Sequence, residues 1–444
     1  MKSIAVLSAL LAGVSAVAVP GAPTTVSYEG YKVFRVQVGT KSQHVNDVIA
    51  KLGLSTWQPP SRKGAFADIE VPPSKLAAFR REMKGMDMVA MHEDLGSSIA
   101  DEGAFQTYVG ETPPPLVARR IASKVDADVA STEGSLNGTW FNSYHAYSDH
   151  LQFLRDLQAS HASNSEIVTS GNSLQGNAIT GIHFWGSSGK ANKPAIVLHG
   201  NVHAREWITS MVVEFFANAL LDGLKSGGEI QALVDKYDFY FFPIVNPDGF
   251  LYSQTSDRLW RKNRQKSSGS SCVGHDINRN WPYMWGKPGA SSNPCAQDYR
   301  GMGQGDAPET KALSDFLLKV KKSQGLKLYI DYHSYSQLFM TPYGYTCDEL
   351  PANNDELQSL ASGAVEAIKS VHGLSFEYGP ICTTIYRASG SSVDYVAEVV
   401  KADYSFTSEL RDKGRYGFIL PANQIVPAGE EALAGFKYLL ENMK

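Results

Sequence analysis

Ala195-Ile-Val-Leu-His-Gly-Asn-Val-His-Ala-Arg-Glu-Trp-Ile208 joins an apolar strand to a helix start through a turn that carries His203, Arg205 and Glu206. Ala195–His199 reads as a buried strand, Gly200 breaks it, and an apolar helix is expected over Ile208–Leu221. Open sheets place their sites at such strand-to-helix edges. His203 and Glu206 stand three residues apart, so both side chains can point to one side of a turn and meet a single cation. Imidazole nitrogen and carboxylate oxygen together suit zinc, which in a catalytic site takes three protein ligands and keeps one position open. The pair alone is a weak signal in a chain with 11 His. His199 offers a rival partner four residues before His203, but Gly200-Asn201 does not favour the continuous helix that pair needs. His199 therefore reads as a buried strand histidine. A third ligand is expected at another strand end, and His333 follows the apolar strand Leu326–Ile330. Taken alone, His333 reads as well as a core histidine.

Outward from this turn, strands are expected at Ile179–Trp185, Phe239–Val245, Lys327–Tyr332 and Tyr404–Leu410. Helices are expected at Pro308–Lys322, Asn353–Val371 and Glu430–Leu440. This alternation from Trp140 onward implies an α/β fold, a sheet covered by helices on both faces. Before it, strands at Tyr31–Val38, Ala65–Val71 and Met86–Met91 and helices at His44–Leu52 and Pro73–Lys84 imply a small open-faced α/β domain. Gly96–Gly138 turns polar, with Thr112-Pro-Pro-Pro115 and Arg119-Arg120, and reads as an exposed connector.

The 444 residues are 43% hydrophobic and 19% charged, which excludes a disordered chain. A net charge of −4 and the lack of a Lys/Arg-rich run argue against nucleic-acid binding. Lys2, the apolar stretch Ile4–Val14 and Ala16-Val17-Ala18 have the anatomy of a secretory signal peptide, cut short of a membrane span by Pro20. No later segment reads as a membrane span. The four Cys can then pair in an oxidising compartment.

Three further segments hold polar groups in unusual company. Arg258-Leu-Trp-Arg-Lys-Asn-Arg264 gathers four cations around an indole, and Asp276-Ile-Asn-Arg-Asn-Trp281 sets amide and guanidinium groups beside a Trp. Ser405–Arg411 puts Glu409 at the end of an apolar strand, where desolvation can raise a carboxyl toward the working pH of a general base. Each by itself reads equally as a loop or a surface ion pair.

Together these segments resemble the zinc metallocarboxypeptidases that include carboxypeptidases A and B. The motifs recur in that family's order: His203-Ala-Arg-Glu-Trp-Ile208, Trp260-Arg261, Cys272-Val-Gly, Asn278-Arg-Asn-Trp281, His333-Ser-Tyr-Ser-Gln337, Pro342-Tyr-Gly-Tyr345, Ile385-Tyr386, Phe406-Thr-Ser-Glu-Leu-Arg-Asp412 and Gly414-Arg-Tyr-Gly-Phe418. The resemblance runs from Trp140 to the C-terminus, and the preceding residues resemble the family's inhibitory pro-domain. It implies a mixed central sheet with helices on both faces. It also implies a signal over 1–18, a pro-domain and connector over 19–120 with cleavage somewhere in 110–133, and a catalytic domain over 121–444.

The resemblance implies that His203, Glu206 and His333 hold one zinc ion, and that Asp276 accepts a hydrogen bond from one ligating imidazole. Glu409 would deprotonate the attacking water and pass the proton to the leaving amine, and Arg261 would stabilise the oxyanion. Arg279, with Asn278 and Tyr386, would bind the substrate's terminal carboxylate. Arg205, Arg258 and Tyr335 would line the outer subsites, with Phe418 near the next residue inward. In the family, enzymes for basic residues carry a carboxylate at the pocket base. Val393 stands there in this chain, with Ile381, Met340, Gly344 and Thr407 around it and Asp394 pointing away. The expected substrates are therefore peptide or protein C-termini ending in aromatic or large aliphatic residues, since a buried Lys or Arg would lie unpaired.

The resemblance also pairs Cys272 with Cys295 and Cys347 with Cys382. Residues 19 to 130 hold 13 basic and 13 acidic groups, so pro-domain docking is expected to rest on shape rather than gross charge. An activating protease would cut at Arg119-Arg120 or nearer Glu133. Asn137-Gly-Thr139 is the only glycosylation acceptor. A secreted monomer is expected, without nucleic-acid or membrane partners. A zinc amidohydrolase of small N-acyl amino acids is the rival enzyme, disfavoured by the peptide-site motifs. An inactive binding protein on the same scaffold is disfavoured because every ligand and the base are present.

Overall fold

The computed structural model describes residues 25–60, 66–103, 105 and 139–444. The expected signal, Arg119-Arg120 and Asn137 lie outside these residues. The small domain is a four-stranded antiparallel sheet in the order β2-β3-β1-β4, formed by β1 (Lys32–Gln37), β2 (Ser55–Gln58), β3 (Phe66–Val71) and β4 (Met88–His92). Helices Ser42–Leu52 and Leu76–Glu82 cover one face through Val45, Val48 and Phe79. β2 escaped the sequence reading because four residues show almost no period. The expected helix from Pro73 opens as a 3-10 turn over Pro73–Lys75, since proline suits a first turn and offers no N–H. The expected connector starts too early at Gly96. Leu95–Asp101 is a helix, capped by Asp94 accepting from Ser97 N, with Leu95 buried.

The large domain is built on an eight-stranded mixed sheet. Its strands are β5 (Ser165–Asn172), β6 (Ala178–Trp185), β7 (Ala195–His199), β8 (Asp238–Phe242), β9 (Leu326–Ser334), β10 (Leu338–Thr341), β11 (Glu377–Pro380) and β12 (Tyr404–Leu410), in the order β11-β10-β12-β9-β7-β8-β6-β5. β12, β9, β7 and β8 run parallel at the centre, and antiparallel neighbours flank them. Alternation along β7 sends Ile196 and Leu198 into one core, with helices Trp207–Ser226, Asn354–His372 and Ile425–Asn442. Ala195 and Val197 enter the opposite core, with helix Pro308–Gln324. This two-sided burial makes the central strands continuous apolar runs.

The strands the sequence reading missed lie toward the margins. β10 and β11 have four residues each, and β5 is a half-exposed edge rich in polar residues. Helix Tyr147–Ser160 was also missed, because His, Gln and Asp dilute the stripe made by Tyr147, His150, Phe153, Leu154 and Leu157. Helix Trp207–Ser226 is long and apolar enough to cross a membrane by length and composition, contrary to the expectation, yet 89% of its most apolar window is buried in this core.

Candidate metal and substrate site

The chemistry gathers at the carboxyl ends of the parallel strands. Gly200 ends β7 where a Cβ would come within 2.8 Å of the Thr209 carbonyl oxygen, so the chain turns tightly against the following helix. Asn201 takes a left-handed φ of 54° and completes the turn. His203 and Glu206 follow, with Glu206 at the helix N-cap position. β9 runs to Ser334, so His333 lies inside the strand rather than just beyond it. Glu409 on β12 sits in register with His333. Alternation then places His199, Asp331, His333, Thr407 and Glu409 on one face of the sheet.

His203 Nδ1 lies 2.8 Å from Glu206 Oε1, and His333 Nδ1 lies 3.1 Å from Glu206 Oε2 and 3.0 Å from His203 Nδ1. All three side chains are buried, and they form one potential metal-ligand cluster. Behind His203, its Nε2 meets Asp276 Oδ1 at 3.2 Å. With a proton held there, Nδ1 presents a lone pair to a carboxylate and to a second imidazole. That convergence of electron pairs fits a cation at the centre, and the donor set is one zinc accepts. Burial would raise Glu206, but His203 and His333 outweigh it and hold the carboxyl well below its usual range.

Asp276 is shared. Its Oδ1 also accepts from Asn278 N at 2.9 Å, and Oδ2 accepts from Arg261 Nη2 at 2.8 Å. Burial would raise this acid, but Arg261 and His203 keep it ionised. The same turn carries Arg279, whose guanidinium is fixed by the carbonyls of Asn278 (2.8 Å) and Gly289 (3.1 Å). Desolvation pushes Glu409 up to about 8, against the pull of His333.

One cavity is lined by His203, His333, Arg261, Glu409, Asn278, Arg279, Tyr386, Met340, Ile381, Val393 and Thr407. Ile385, Ala388 and Ser391 also line it and were not anticipated. Gly344 does not line it: the glycine backs onto the Ala388 carbonyl and the Ile381 side chain. Asp394 is turned from the cavity, accepting from the backbone N–H of Gly344 and Tyr345 at 3.0 Å, and desolvation pushes it up to about 7. The four cations expected around Trp260 separate, because successive side chains of the turn meet different neighbours. Only Arg264 stacks on Trp260, at 4.3 Å, while Arg258 lies 3.6 Å over Trp207 and Lys262 reaches the Pro294 carbonyl.

The domain before residue 104 packs on the large domain through residues next in sequence to His333 and through Phe418 and Arg258. Trp57 packs on Phe418 and Tyr335, and Gln58 Nε2 donates to the Tyr335 carbonyl and the Ser336 hydroxyl. Asp68 accepts from the Tyr335 hydroxyl and from Arg35. Arg205 lies 4.0 Å over the Phe418 ring. Arg258 pairs with Glu102 at 2.7 and 2.6 Å, both buried. Docking therefore combines aromatic packing with a specific buried ion pair that a balanced charge count does not reveal.

Residues 150–435 match the zinc carboxypeptidase family, and residues 34–102 match the carboxypeptidase activation peptide. The chain belongs to the zinc carboxypeptidase family. The metallocarboxypeptidase A of Trichophyton rubrum is 45% identical over 99% of both chains, and carboxypeptidase A1 of Bos taurus is 36% identical over 94% of both. The crystal structure of thrombin activatable fibrinolysis inhibitor matches with a TM-score of 0.80 at 27% identity, covering 94% of this chain and 99% of that one. Carboxypeptidase A from Helicoverpa armigera matches at 0.75 and 26% identity, over 93% and 97%. This metallocarboxypeptidase is thus a zymogen that carries its own activation peptide. Cys272–Cys295 and Cys347–Cys382 are both disulfide-bonded.

Proposed function

We propose that this enzyme removes aromatic or large aliphatic residues from the C-termini of peptides, using one zinc ion held by His203, Glu206 and His333. The observation that carries the reading is a single cavity lined by His203 and His333 of this cluster, by Glu409, Arg261 and Arg279, and by the apolar side chains of Val393, Ile381 and Met340. Bound there, zinc supplies Lewis-acid polarisation of a carbonyl and makes water a nucleophile near neutral pH.

The chain's own residues do the rest. Arg279, with Asn278 and Tyr386, takes the terminal carboxylate, and Val393, Ile381, Met340 and Thr407 receive the last side chain. Glu409 accepts the proton of the water that attacks the scissile carbonyl carbon. As the C–N bond breaks, Glu409 returns that proton to the leaving amine. Arg261 donates to the oxyanion that forms between these steps, and Asp276 holds both Arg261 and His203 in position.

Secretion as a monomeric zymogen and activation by a protease cutting within 110–133 belong to the same reading. Two disulfides support an oxidising destination. Arg205, Arg258, Tyr335 and Phe418, freed of the activation peptide, form the outer subsites. Paired peptides differing only in a free or amidated C-terminus test the carboxylate grip. Amidation should lower kcat/KM by at least ~100-fold, because it leaves Arg279 buried against a neutral group. Equal rates would overturn the reading.

A further inference from the structure

Asp331 is fully buried two residues before His333 on β9, and strand alternation turns both side chains to the same face. Its Oδ1 lies 3.0 Å from His333 Nε2 and 3.3 Å from His199 Nδ1. Its Oδ2 accepts from the Ser392 hydroxyl at 2.6 Å. His199 is equally buried, and its Nε2 sits 2.6 Å from the Tyr329 hydroxyl. With that hydroxyl donating, the N–H of His199 falls on Nδ1, facing Asp331. Neither contact to Oδ1 is aligned as a hydrogen bond, and a buried carboxylate oxygen left bare is costly.

We propose that Asp331 is a positioning residue for the metal site. It holds the Nε2–H of His333 so that Nδ1 presents its lone pair to zinc, and through Ser392 it ties that ring to the turn bearing Val393. The inference rests on His203, Glu206 and His333 being the ligand set. A ring coordinating through Nδ1 must carry its proton on Nε2, which has Asp331 Oδ1 at 3.0 Å and Asn278 Nδ2, itself a donor, at 3.1 Å, so the carboxylate is the acceptor within reach. Each ligating imidazole then has its own carboxylate, Asp276 behind His203 and Asp331 behind His333. His199, held by Tyr329, approaches the carboxylate from the far side at 3.3 Å. Ser392 N also donates to Asn278 Oδ1 at 2.9 Å, so the tie reaches a residue of the carboxylate-binding turn.

The test uses the full-length zymogen loaded with zinc or cobalt. Zinc affinity is read by competition with a chromophoric chelator, and ligand geometry by the visible spectrum of the cobalt form. Asp331→Asn keeps shape but offers His333 a poorer acceptor. It should weaken zinc binding by about 10–100-fold, comparably to Asp276→Asn, and shift the cobalt bands. Ser392→Ala removes only the hydroxyl that orients Asp331 and should weaken binding less, in the same direction. A folded Asp331→Asn protein with wild-type zinc affinity and an unchanged cobalt spectrum would overturn the proposal. If Asp331→Asn does not fold, Ser392→Ala decides by the same two readouts. Wild-type zinc affinity in His333→Ala would instead overturn the ligand set itself, so the two failures are distinguishable.

Discussion

Glu409 and Val393 line one cavity, and the proposed mechanism places opposite demands on them, a proton acceptor at the cleavage point and an uncharged floor below. Replacing Glu409 by Gln should lower kcat by roughly 10²–10⁴ while leaving zinc content unchanged, because the side chain is not a ligand. Steady-state kinetics with metal analysis on one preparation checks this. Val393→Asp should move the preference toward C-terminal Lys and Arg, with release of Phe falling by about 100-fold as the carboxylate loses solvent against an apolar ring. Much of the site was legible in the motifs taken together. The His203 and Glu206 spacing is by itself a weak sign of a cation, and Glu409 closing an apolar strand gains meaning only beside the other motifs in their order. Asp331 was on view in the same strand as His333, but an acid two residues from a His becomes informative only once the pleat turns both to one side. Gly344 was misplaced because which face of a loop backbone borders a cavity is not a property of sequence.

Beside β2 and β3, two elements of the activation peptide add to its grip, the helix Leu95–Asp101 with Glu102 after it, and strand β4 with His92 at its end. Glu102→Ala leaves Arg258 buried without its carboxylate. Docking should weaken by roughly 3 kcal/mol, near a hundredfold, and raise the activity of the uncut chain. His92 Nε2 lies 3.0 Å from the Tyr416 carbonyl, and burial lowers the His92 pKa against the smaller upward pull of that contact, Asp412 and Asp68. The undocked imidazole takes a proton more readily, so this part of the docking energy is present above about pH 6.5 and is lost as pH falls below it. Burial raises Glu102, which acts in the opposite sense at lower pH, so the contribution is read as a difference between proteins. His92→Gln should flatten the fall in zymogen thermal stability between about pH 7 and 5, and an unchanged slope would contradict the assignment. Central strands and amphipathic helices announced themselves through burial on one or two faces. β2, β10 and β11 did not, since four residues at a sheet margin are set by their neighbours.

At the scale of the whole molecule, sequence composition separated three uses of the chain but could not show how they meet. The activation peptide rests on Phe418, Tyr335 and Arg258, the residues proposed above as outer subsites, so on that reading substrate access and zymogen docking compete for them. That competition predicts that the activated enzyme is inhibited by added free activation peptide. Peptide analogues long enough to reach the outer subsites should relieve it, as competition kinetics would read. The central claim is zinc-dependent release of an apolar C-terminal residue. Its most direct test is the protease-activated enzyme acting on peptides that differ only in their last residue, before chelation, after chelation and after zinc is restored. Phe and Leu should leave at least ~100-fold faster than Arg or Lys, activity should vanish with the chelator, and zinc should restore it. Faster release of Arg, or release indifferent to chelation, would contradict the account.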